Sequence, residues 1–323
     1  MKHIGNKKEI NNWIYVVKET DNKIQYEVIP DKVIKSPEIV YKYYPLTQNS
    51  CRVLKNKQIY ASHPVQLNDP FDCNNNLINY KNVSLDFCRK FFKSSIPDDE
   101  IINRFNVDKN GLINQLSIEH YIGVFSRLGV ISMTEDSLNM LMWAYYASSH
   151  AGFALSFDTS QLKSKFHGPF PMNYLEIFEQ LEFNEEEIYI DLLYQTNVKS
   201  INWQHEKEWR FIAEKSYMKM PGFYEGNDTV ERTFDIENKI INGVIYGYKF
   251  FNYLIDFDKP SHTRRINFKY DRDKDYKMEI LKHTQWITKK EMIVVEGVNS
   301  FKLKNREVDI KIINDNEIDL IVK

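Results

Sequence analysis

The chain lacks the cysteine framework of a secreted protein, the ligand spacing of a zinc site and a large net charge. Its 323 residues include three cysteines, and its formal net charge is −2. Cys51, Cys73 and Cys88 form no Cys-x-x-Cys pair and no Cys/His pair with zinc spacing, so we expect reduced thiols and no metal site. A net charge this close to zero gives no overall electrostatic attraction to nucleic acid or to acidic membranes.

Long apolar runs and common catalytic motifs are also missing. The longest apolar run, Met140 to Ala147, is shorter than a membrane span, and the amino terminus carries no signal-like stretch. These absences predict a cytoplasmic protein with no membrane partner. The sequence has no Gly-x-x-x-x-Gly-Lys loop, no Gly-x-Gly-x-x-Gly turn and no His-Glu-x-x-His helix, which disfavours ordinary nucleotide kinases, Rossmann dehydrogenases and zinc hydrolases.

The elements that are present predict an α+β fold. Alternating β-branched and aromatic residues from Trp13 to Lys18 and from Lys23 to Ile29 flank the turn Thr20-Asp21-Asn22, which indicates a hairpin. Helical periods between Ser84 and Ser126 separate two groups of strands. We therefore predict a central mixed or antiparallel sheet with a helical insertion and a small C-terminal β appendage. The predicted units are a β-hairpin over residues 1–37, a core domain over 38–258 and a β-rich appendage over 259–323.

Three local assignments bear on the candidate site. Met172 to Leu181 is predicted as a helix, and Glu186 to Tyr194 is predicted as a strand. Ser137 is predicted to cap a helix that runs to about Ala147. Asp69 before Pro70 is predicted to cap the start of another helix, because proline is favoured at the first helical position.

The segment Glu206-Lys207-Glu208-Trp209-Arg210-Phe211-Ile212 carries the chemistry that most favours an active site. Alternate side chains of a strand share one face, so Glu206, Glu208 and Arg210 would lie on one side if the strand includes them all. Trp209 and Phe211 would then face a core. Two clustered carboxylates can act as a general base or stabilise a positive charge. They can equally form a solvated edge that carries an ion pair.

Three other groups of residues are candidates for the same site. Asp69 or Asp72 can pair with Arg210 as a buried fork that holds the site wall. Trp143 and Tyr146 share one face of a helix, which is either core or a pocket wall. Lys42 and Tyr43 end a strand, where a cation and an aromatic ring can meet a phosphate or a planar ligand. An exposed strand end explains the last pair equally well.

Three segments in this order resemble a known bacterial family. The first runs from Tyr41 through Asn68-Asp69-Pro70-Phe71-Asp72, the second from Ile131 through Met142-Trp143-Ala144-Tyr145-Tyr146 to Phe153, and the third from Trp203 to Arg210. Together they resemble the domain-of-unknown-function family 2971, which is related to abortive-infection proteins of the AbiGi type. The resemblance covers roughly Ile39 to Tyr248 and implies a setting in phage defence or toxicity.

A more distant resemblance links the order of these elements to DarT-like ADP-ribosyltransferases. It implies that NAD is the substrate, with Glu208 accepting from the ribose 2′-hydroxyl and Glu206 orienting or deprotonating the acceptor. Tyr146 or Trp143 would pack near nicotinamide, Lys42 or Tyr43 would hold NAD from the first strand, and Arg210 would be structural. The acceptor would be a protein or a nucleic acid, and an antitoxin or another defence protein would be a further partner.

Two alternative functions follow from the residues themselves. One is a nucleic-acid-binding or nucleolytic effector, indicated by the cations Arg264, Arg265, Lys269, Arg272 and Lys274 interleaved with Phe268, Tyr270 and Tyr276. The alternating Asp271, Asp273 and Asp275 favour a plain solvated segment instead. The other alternative is a non-catalytic sensor in which the two glutamates and Arg210 form only an ion-pair network.

Overall fold

The computed structural model describes residues 5–20, 23–221, 230–251, 261–296 and 301–323. Its strands, in chain order, are β1 (Gly5–Ile10), β2 (Trp13–Thr20), β3 (Lys23–Ile29), β4 (Ile39–Tyr44), β5 (Gln58–Tyr60), β6 (Ile78–Asn79), β7 (Leu128–Thr134), β8 (Phe153–Asp158), β9 (His167–Pro171), β10 (Asn173–Leu175), β11 (Leu181–Glu182), β12 (Val198–Ser200), β13 (Glu208–Glu214), β14 (Thr233–Asp235), β15 (Ile241–Tyr246), β16 (His262–Asn267), β17 (Lys289–Val295), β18 (Leu303–Ile312) and β19 (Glu317–Val322). Its α-helices are α1 (Gln48–Asn56), α2 (Leu85–Phe92), α3 (Asp98–Val107), α4 (Lys109–Phe125), α5 (Met140–Tyr146), α6 (Thr159–Lys163), α7 (Ile188–Asn197) and α8 (Lys274–His283). None of the helices among these residues is long and apolar enough to cross a lipid bilayer.

A ten-stranded sheet organises the described residues in the order β16-β19-β18-β17-β15-β8-β4-β7-β13-β9. Neighbouring strands are antiparallel except for β15 and β17, which run parallel. The predicted α+β class with a central mixed sheet is confirmed. The predicted C-terminal β segment is present, but its strands continue this sheet through β17 instead of forming a separate sheet. The predicted boundary at 258/259 lies outside the described residues.

Each face of the large sheet covers its own hydrophobic core. Alternation along β13 sends Trp209 and Phe211 to one core, as predicted, and Ile212 to the other. Residues of α1 and α8 complete the first core. Residues of the amino-terminal sheet and of α2, α3, α4 and α7 complete the second. Strand β13, which begins at Glu208, is therefore anchored on both faces.

The amino-terminal segment forms a three-stranded antiparallel sheet. The predicted hairpin is confirmed as β2 and β3, and β1 pairs with β2 on the other side. Asp21 and Asn22 of the predicted turn lie outside the described residues. Tyr15 donates its hydroxyl to the Asn197 side chain at 2.9 Å, which ties this sheet to α7.

Four local predictions are wrong. Met172 to Leu181 is not a helix, because Asn173–Leu175 pairs in parallel with Val198–Ser200. Glu186 to Tyr194 is not a strand, because α7 occupies Ile188–Asn197, and its buried side chains from Ile190 onward remove the polar stripe that marks an amphipathic helix. Ser137 is not the cap of α5, since Asn139 accepts from the Leu141 and Met142 amides. Asp69 begins a turn, in which its side chain accepts from the Phe71 amide at 2.9 Å.

The sheet opens between β4 and β7. Strand β4 pairs with β8 along its whole length, from Ile39 to Tyr44, but with β7 only through Tyr41 and Thr134. Beyond that pair, Ser62 bridges to Val130 of β7. The segment after β5 therefore occupies the position that a continued β4–β7 ladder would fill, and it leaves a cleft beside β4.

Arg232 holds this inserted segment in place. Its guanidinium is fully buried and donates to the carbonyls of Ala61 at 3.0 Å, Phe125 at 3.1 Å and Leu128 at 2.7 Å. Three backbone segments that meet beside the cleft are thus fixed by one side chain.

We predict that Arg232→Met lowers the free energy of unfolding by roughly 3 kcal/mol, because it leaves three buried carbonyls without a donor. Chemical denaturation measures the change. Arg127→Met, at a neighbouring exposed arginine, is the matched control and is expected to stay within about 0.5 kcal/mol of the wild type. Equal effects of the two substitutions would contradict this role for Arg232.

Candidate active site

A cavity of about 210 Å³ lies in the cleft between β4 and β7. Residues of both strands line it, and so do side chains from α5, β12 and β13. Among the residues singled out from the sequence, the cavity brings together Lys42, Tyr43, Tyr146, Glu206 and Glu208. Segments far apart in the chain therefore converge on one volume, as a binding site requires.

The two glutamates reach the cavity from different elements. Glu208 is the first residue of β13, whereas Glu206 ends a 3-10 helix that spans Ile201–Glu206. Lys207 between them adopts a left-handed backbone with φ of 46°, so the predicted strand face does not extend to Glu206. Both carboxyl groups nevertheless lie in the interior, with side chains only 5% and 3% exposed.

Lys199 brings the two carboxylates together. Its ammonium lies 2.5 Å from Glu206 Oε2 and 2.8 Å from Glu208 Oε2. It also lies 5.3 Å from the centre of the Trp203 ring. The sequence analysis missed this residue. One sequence feature could have indicated it: Lys199 is a single lysine in a short strand that follows the apolar helix α7. A lysine in such a buried region needs a partner of opposite charge.

Arg210 forms the second half of the charged cluster. Its guanidinium makes a two-pronged contact with Asp72, at 2.8 Å and 2.5 Å, and its Nε donates to Glu208 Oε1 at 2.7 Å. It also donates to the Thr196 carbonyl at 2.9 Å. The predicted structural role of Arg210 agrees with these contacts.

The partner of Arg210 is Asp72 and not Asp69, which corrects the predicted ion pair. Asp69 is buried, but its Oδ1 accepts from the Phe71 amide and its Oδ2 has no hydrogen-bond partner among the described residues. The turn that begins at Asp69 turns the carboxylate of Asp72 toward β13. Sequence pattern does not separate the two aspartates, because turn geometry decides which carboxylate reaches β13.

The cluster leaves one negative charge uncompensated when all its members are ionised. Three carboxylates, from Asp72, Glu206 and Glu208, face the two cations Lys199 and Arg210. Burial disfavours a charged carboxylate at Glu208, yet Arg210 and Lys199 hold its pKa well below the usual range. Burial raises the pKa of Glu206, and the Lys199 ammonium offsets part of that rise. Glu208 is thus a permanent anion, and Glu206 is the more basic carboxylate.

Tyr146 links helix α5 to this cluster. Its hydroxyl donates to Glu206 Oε1 at 2.5 Å and accepts from the Asn68 amide at 2.6 Å. Trp143 is placed differently from the prediction. It is fully buried, donates to the Ser137 carbonyl at 2.9 Å and packs edge-on against Tyr43 at 4.8 Å. Trp143 therefore supports the Tyr43 wall from behind and does not line the cavity.

Lys42 and Tyr43 form the wall of the cavity on the β4 side. The Lys42 ammonium donates to the Ser132 carbonyl at 3.0 Å, across the gap between β4 and β7. Burial lowers the pKa of Lys42 to about 8, and Glu208 offsets part of that shift. The Tyr43 hydroxyl donates to the Asp136 carbonyl at 2.7 Å. Lys42 is half-buried and stays charged at neutral pH.

Part of the basic segment near the C-terminus is tied into the fold, whereas Tyr270 is 91% exposed. Arg265 pairs with Asp319 at 2.5 Å in the β16–β19 ladder, and Phe268 is buried in the first core. A buried aromatic ring is not available to stack on a base. This arrangement gives the nucleic-acid alternative no stacking platform at Phe268.

Comparison with known proteins identifies one family. Residues 142–211 match the profile of a family described as protein of unknown function (DUF2971). The predicted resemblance to that family is confirmed over this segment, which carries Tyr146, Lys199, Glu206, Glu208 and Arg210. A search of curated proteins found no match, and neither did a search of solved structures.

We predict that Asp72→Asn lowers the free energy of unfolding by about 3 kcal/mol, because it removes one of the two carboxylates that pair with the buried Arg210 guanidinium. Chemical denaturation measures the change. Asp69→Asn is the matched control: its amide oxygen still accepts from the Phe71 amide, so its effect should stay below about 1 kcal/mol. A larger loss at Asp69 than at Asp72 would contradict the assigned pairing.

Proposed function

We propose that the protein is a cytoplasmic, NAD-using mono-ADP-ribosyltransferase that acts as an effector in bacterial phage defence or in a toxin system. The observation that carries this proposal is a cavity bordered by two buried glutamates, with the Lys42 ammonium on its β4 side. A ligand that is cationic at one end and anionic further along matches this order of charges. The cationic nicotinamide ring and the pyrophosphate of NAD have that order.

The reaction needs stabilisation of a positive charge that develops on ribose. Cleavage of the bond between nicotinamide nitrogen and ribose C1′ sends the electron pair to nicotinamide, which leaves as a neutral molecule. The ribose then carries positive charge until the acceptor forms a new bond to C1′ and loses its proton. A fixed anion beside the ribose lowers this barrier, and one such preorganised group is worth about 3–4 kcal/mol in comparable sites.

Glu208 is suited to the role of that anion. Its low pKa keeps it charged at any physiological pH. Its Oε1 accepts one hydrogen bond, from Arg210 Nε, and a carboxylate oxygen has room for a second donor. The ribose 2′-hydroxyl is the donor that we assign to this position. Arg210 and Lys199 are positioning residues, since they fix the carboxylate without occupying all its acceptor capacity.

Glu206 is suited to receive the acceptor's proton. Burial raises its pKa, which brings a carboxylate closer to the range of an effective general base. Its two oxygens are oriented by Tyr146 and Lys199. The proton that the acceptor loses is then shared among Glu206, Tyr146 and Lys199. We assign nicotinamide to the space that Tyr43 and Tyr146 line.

The non-catalytic alternative has a specific observation in its favour. Every carboxylate of the cluster already has a cationic partner, and buried ion-pair networks of this kind also occur for structural reasons alone. The cavity beside the two glutamates favours catalysis over that alternative, because a purely structural network needs no adjoining void.

We predict that Glu208→Gln lowers the rate of nicotinamide release from labelled NAD by about 10²–10³-fold, because it removes the fixed negative charge. Thermal melting of the same sample separates loss of catalysis from loss of fold. Glu214→Gln, at the exposed end of β13, is the matched control and should leave the rate unchanged. An unchanged rate in a folded Glu208→Gln variant would remove the basis of the proposal.

The pKa of Lys42 gives a second, pH-dependent prediction. Its ammonium is charged below about pH 8 and neutral above it, so the KM for NAD should be flat below pH 8 and rise above it as the pyrophosphate loses its cation. Lys42→Arg keeps a charge at all these pH values and should remove the rise. Steady-state kinetics between about pH 6.5 and about 9.5 measure the KM for NAD at each pH. A lysine with the pKa of the free side chain, near 10.4, would give no rise in this range. A wild-type rise that persists in Lys42→Arg would assign the titration to another group.

A further inference from the structure

A second cavity, of about 560 Å³, adjoins the candidate active site. Its walls come from the end of β4, from helix α1 and from β5. Strand β4 contributes to both cavities: Lys42 and Tyr43 line the first, and Tyr44, with Pro45 directly after the strand, lines the second. The two cavities are therefore successive along one strand.

Gln66 separates the two volumes and lines both of them. Its Oε1 accepts from the Tyr60 hydroxyl at 2.8 Å and from the His63 amide at 3.0 Å. The position of this amide side chain is thus fixed by the same inserted segment that opens the cleft. A ligand that occupies both cavities at once would have to pass Gln66.

The size of the first cavity requires such an extension. Sites that enclose drug-sized ligands measure roughly 300–1,000 Å³, and a dinucleotide is larger than most drug-sized molecules. A volume of 210 Å³ holds one end of it, while the second cavity of 560 Å³ is large enough for the other. If the first cavity takes nicotinamide and its ribose, the adenosine end has to lie elsewhere.

The side chains of the second cavity differ in chemistry from those of the first. Its walls are mostly apolar, and the polar side chains on them are amides and hydroxyls, such as Asn49, Asn56, Gln58 and Thr47, and the cation Arg52, beside the Tyr60 ring. No carboxylate lines this cavity among the described residues. Amide groups can pair with the donors and acceptors of a purine edge, and a tyrosine ring offers an aromatic surface.

We propose that the second cavity binds the adenosine half of the dinucleotide, so that the substrate spans Gln66 with its pyrophosphate near Lys42. This inference rests on the proposed function, which it extends by assigning the end of the substrate that takes no part in bond cleavage. The enzyme then selects NAD over nicotinamide mononucleotide through a surface remote from the glutamates.

The test fills the second cavity without touching the first. Asn49→Trp places an indole on an exposed position of α1 that lines the cavity, and Lys55→Trp places the same group on an exposed position of α1 that does not line it. We expect calorimetry to show AMP binding to the wild type and to Lys55→Trp, and at least about tenfold weaker binding to Asn49→Trp. The KM for NAD should rise by a similar factor in Asn49→Trp, while cleavage of nicotinamide mononucleotide stays unchanged.

AMP binding does not depend on catalysis, so the two proposals fail separately. If NAD is cleaved but Asn49→Trp changes neither AMP binding nor the KM for NAD, the adenosine site is overturned and the proposed function stands. If AMP binds and Asn49→Trp blocks it, while no NAD is cleaved, the adenosine site is supported and the proposed function is overturned. Absence of AMP binding to the wild type at millimolar concentration overturns the adenosine site.

Discussion

Five charged side chains share one buried cluster at the start of β13, and the geometry of the candidate site depends on them. Removing charges from water costs several kcal/mol per ion unless each has a well-placed partner. Here Lys199 joins the two glutamates, and Arg210 joins Glu208 to Asp72. Moving any one of these side chains away would leave a buried charge without its partner. For that reason β12, β13 and the turn after Asp69 keep one relative arrangement. The carboxylates are thereby fixed at the cavity wall with little freedom to reorganise.

The backbone supplies the space that this cluster borders. Strands β4 and β7 share a single residue pair, and the segment at Ser62 completes the ladder with β7. Arg232 holds that segment through three carbonyls. A continuous ladder would close the cleft and leave the glutamates as an ordinary buried ion-pair network. The gap in the sheet is therefore as necessary to the proposed chemistry as the acids themselves.

The sequence predicted the parts of this arrangement that depend on local pattern. The α+β class, the helices between Ser84 and Ser126 and the packing of Trp209 and Phe211 on one core follow from periodicity. The convergence of Lys42, Tyr146, Glu206 and Glu208 followed from the family resemblance, and the cavity agrees with it. Lys199 was missed, because its role depends on a parallel β10–β12 pairing in a region where a helix was expected. Only the geometry of a turn shows that Asp72, and not Asp69, pairs with Arg210. Helix α7 shows no amphipathic period in the sequence, because it is buried on nearly every face.

The measurement that tests the central claim most directly is a crystal structure with a non-hydrolysable NAD analogue. The account predicts that the nicotinamide ribose enters the cavity between β4 and β7, with its 2′-hydroxyl at hydrogen-bond distance from a Glu208 oxygen, roughly 2.6–3.2 Å. It also predicts that the pyrophosphate lies on the Lys42 side. An analogue bound elsewhere on the chain, or a cluster whose carboxylates contact only Lys199 and Arg210 while the cleft stays empty at saturating analogue, would contradict it.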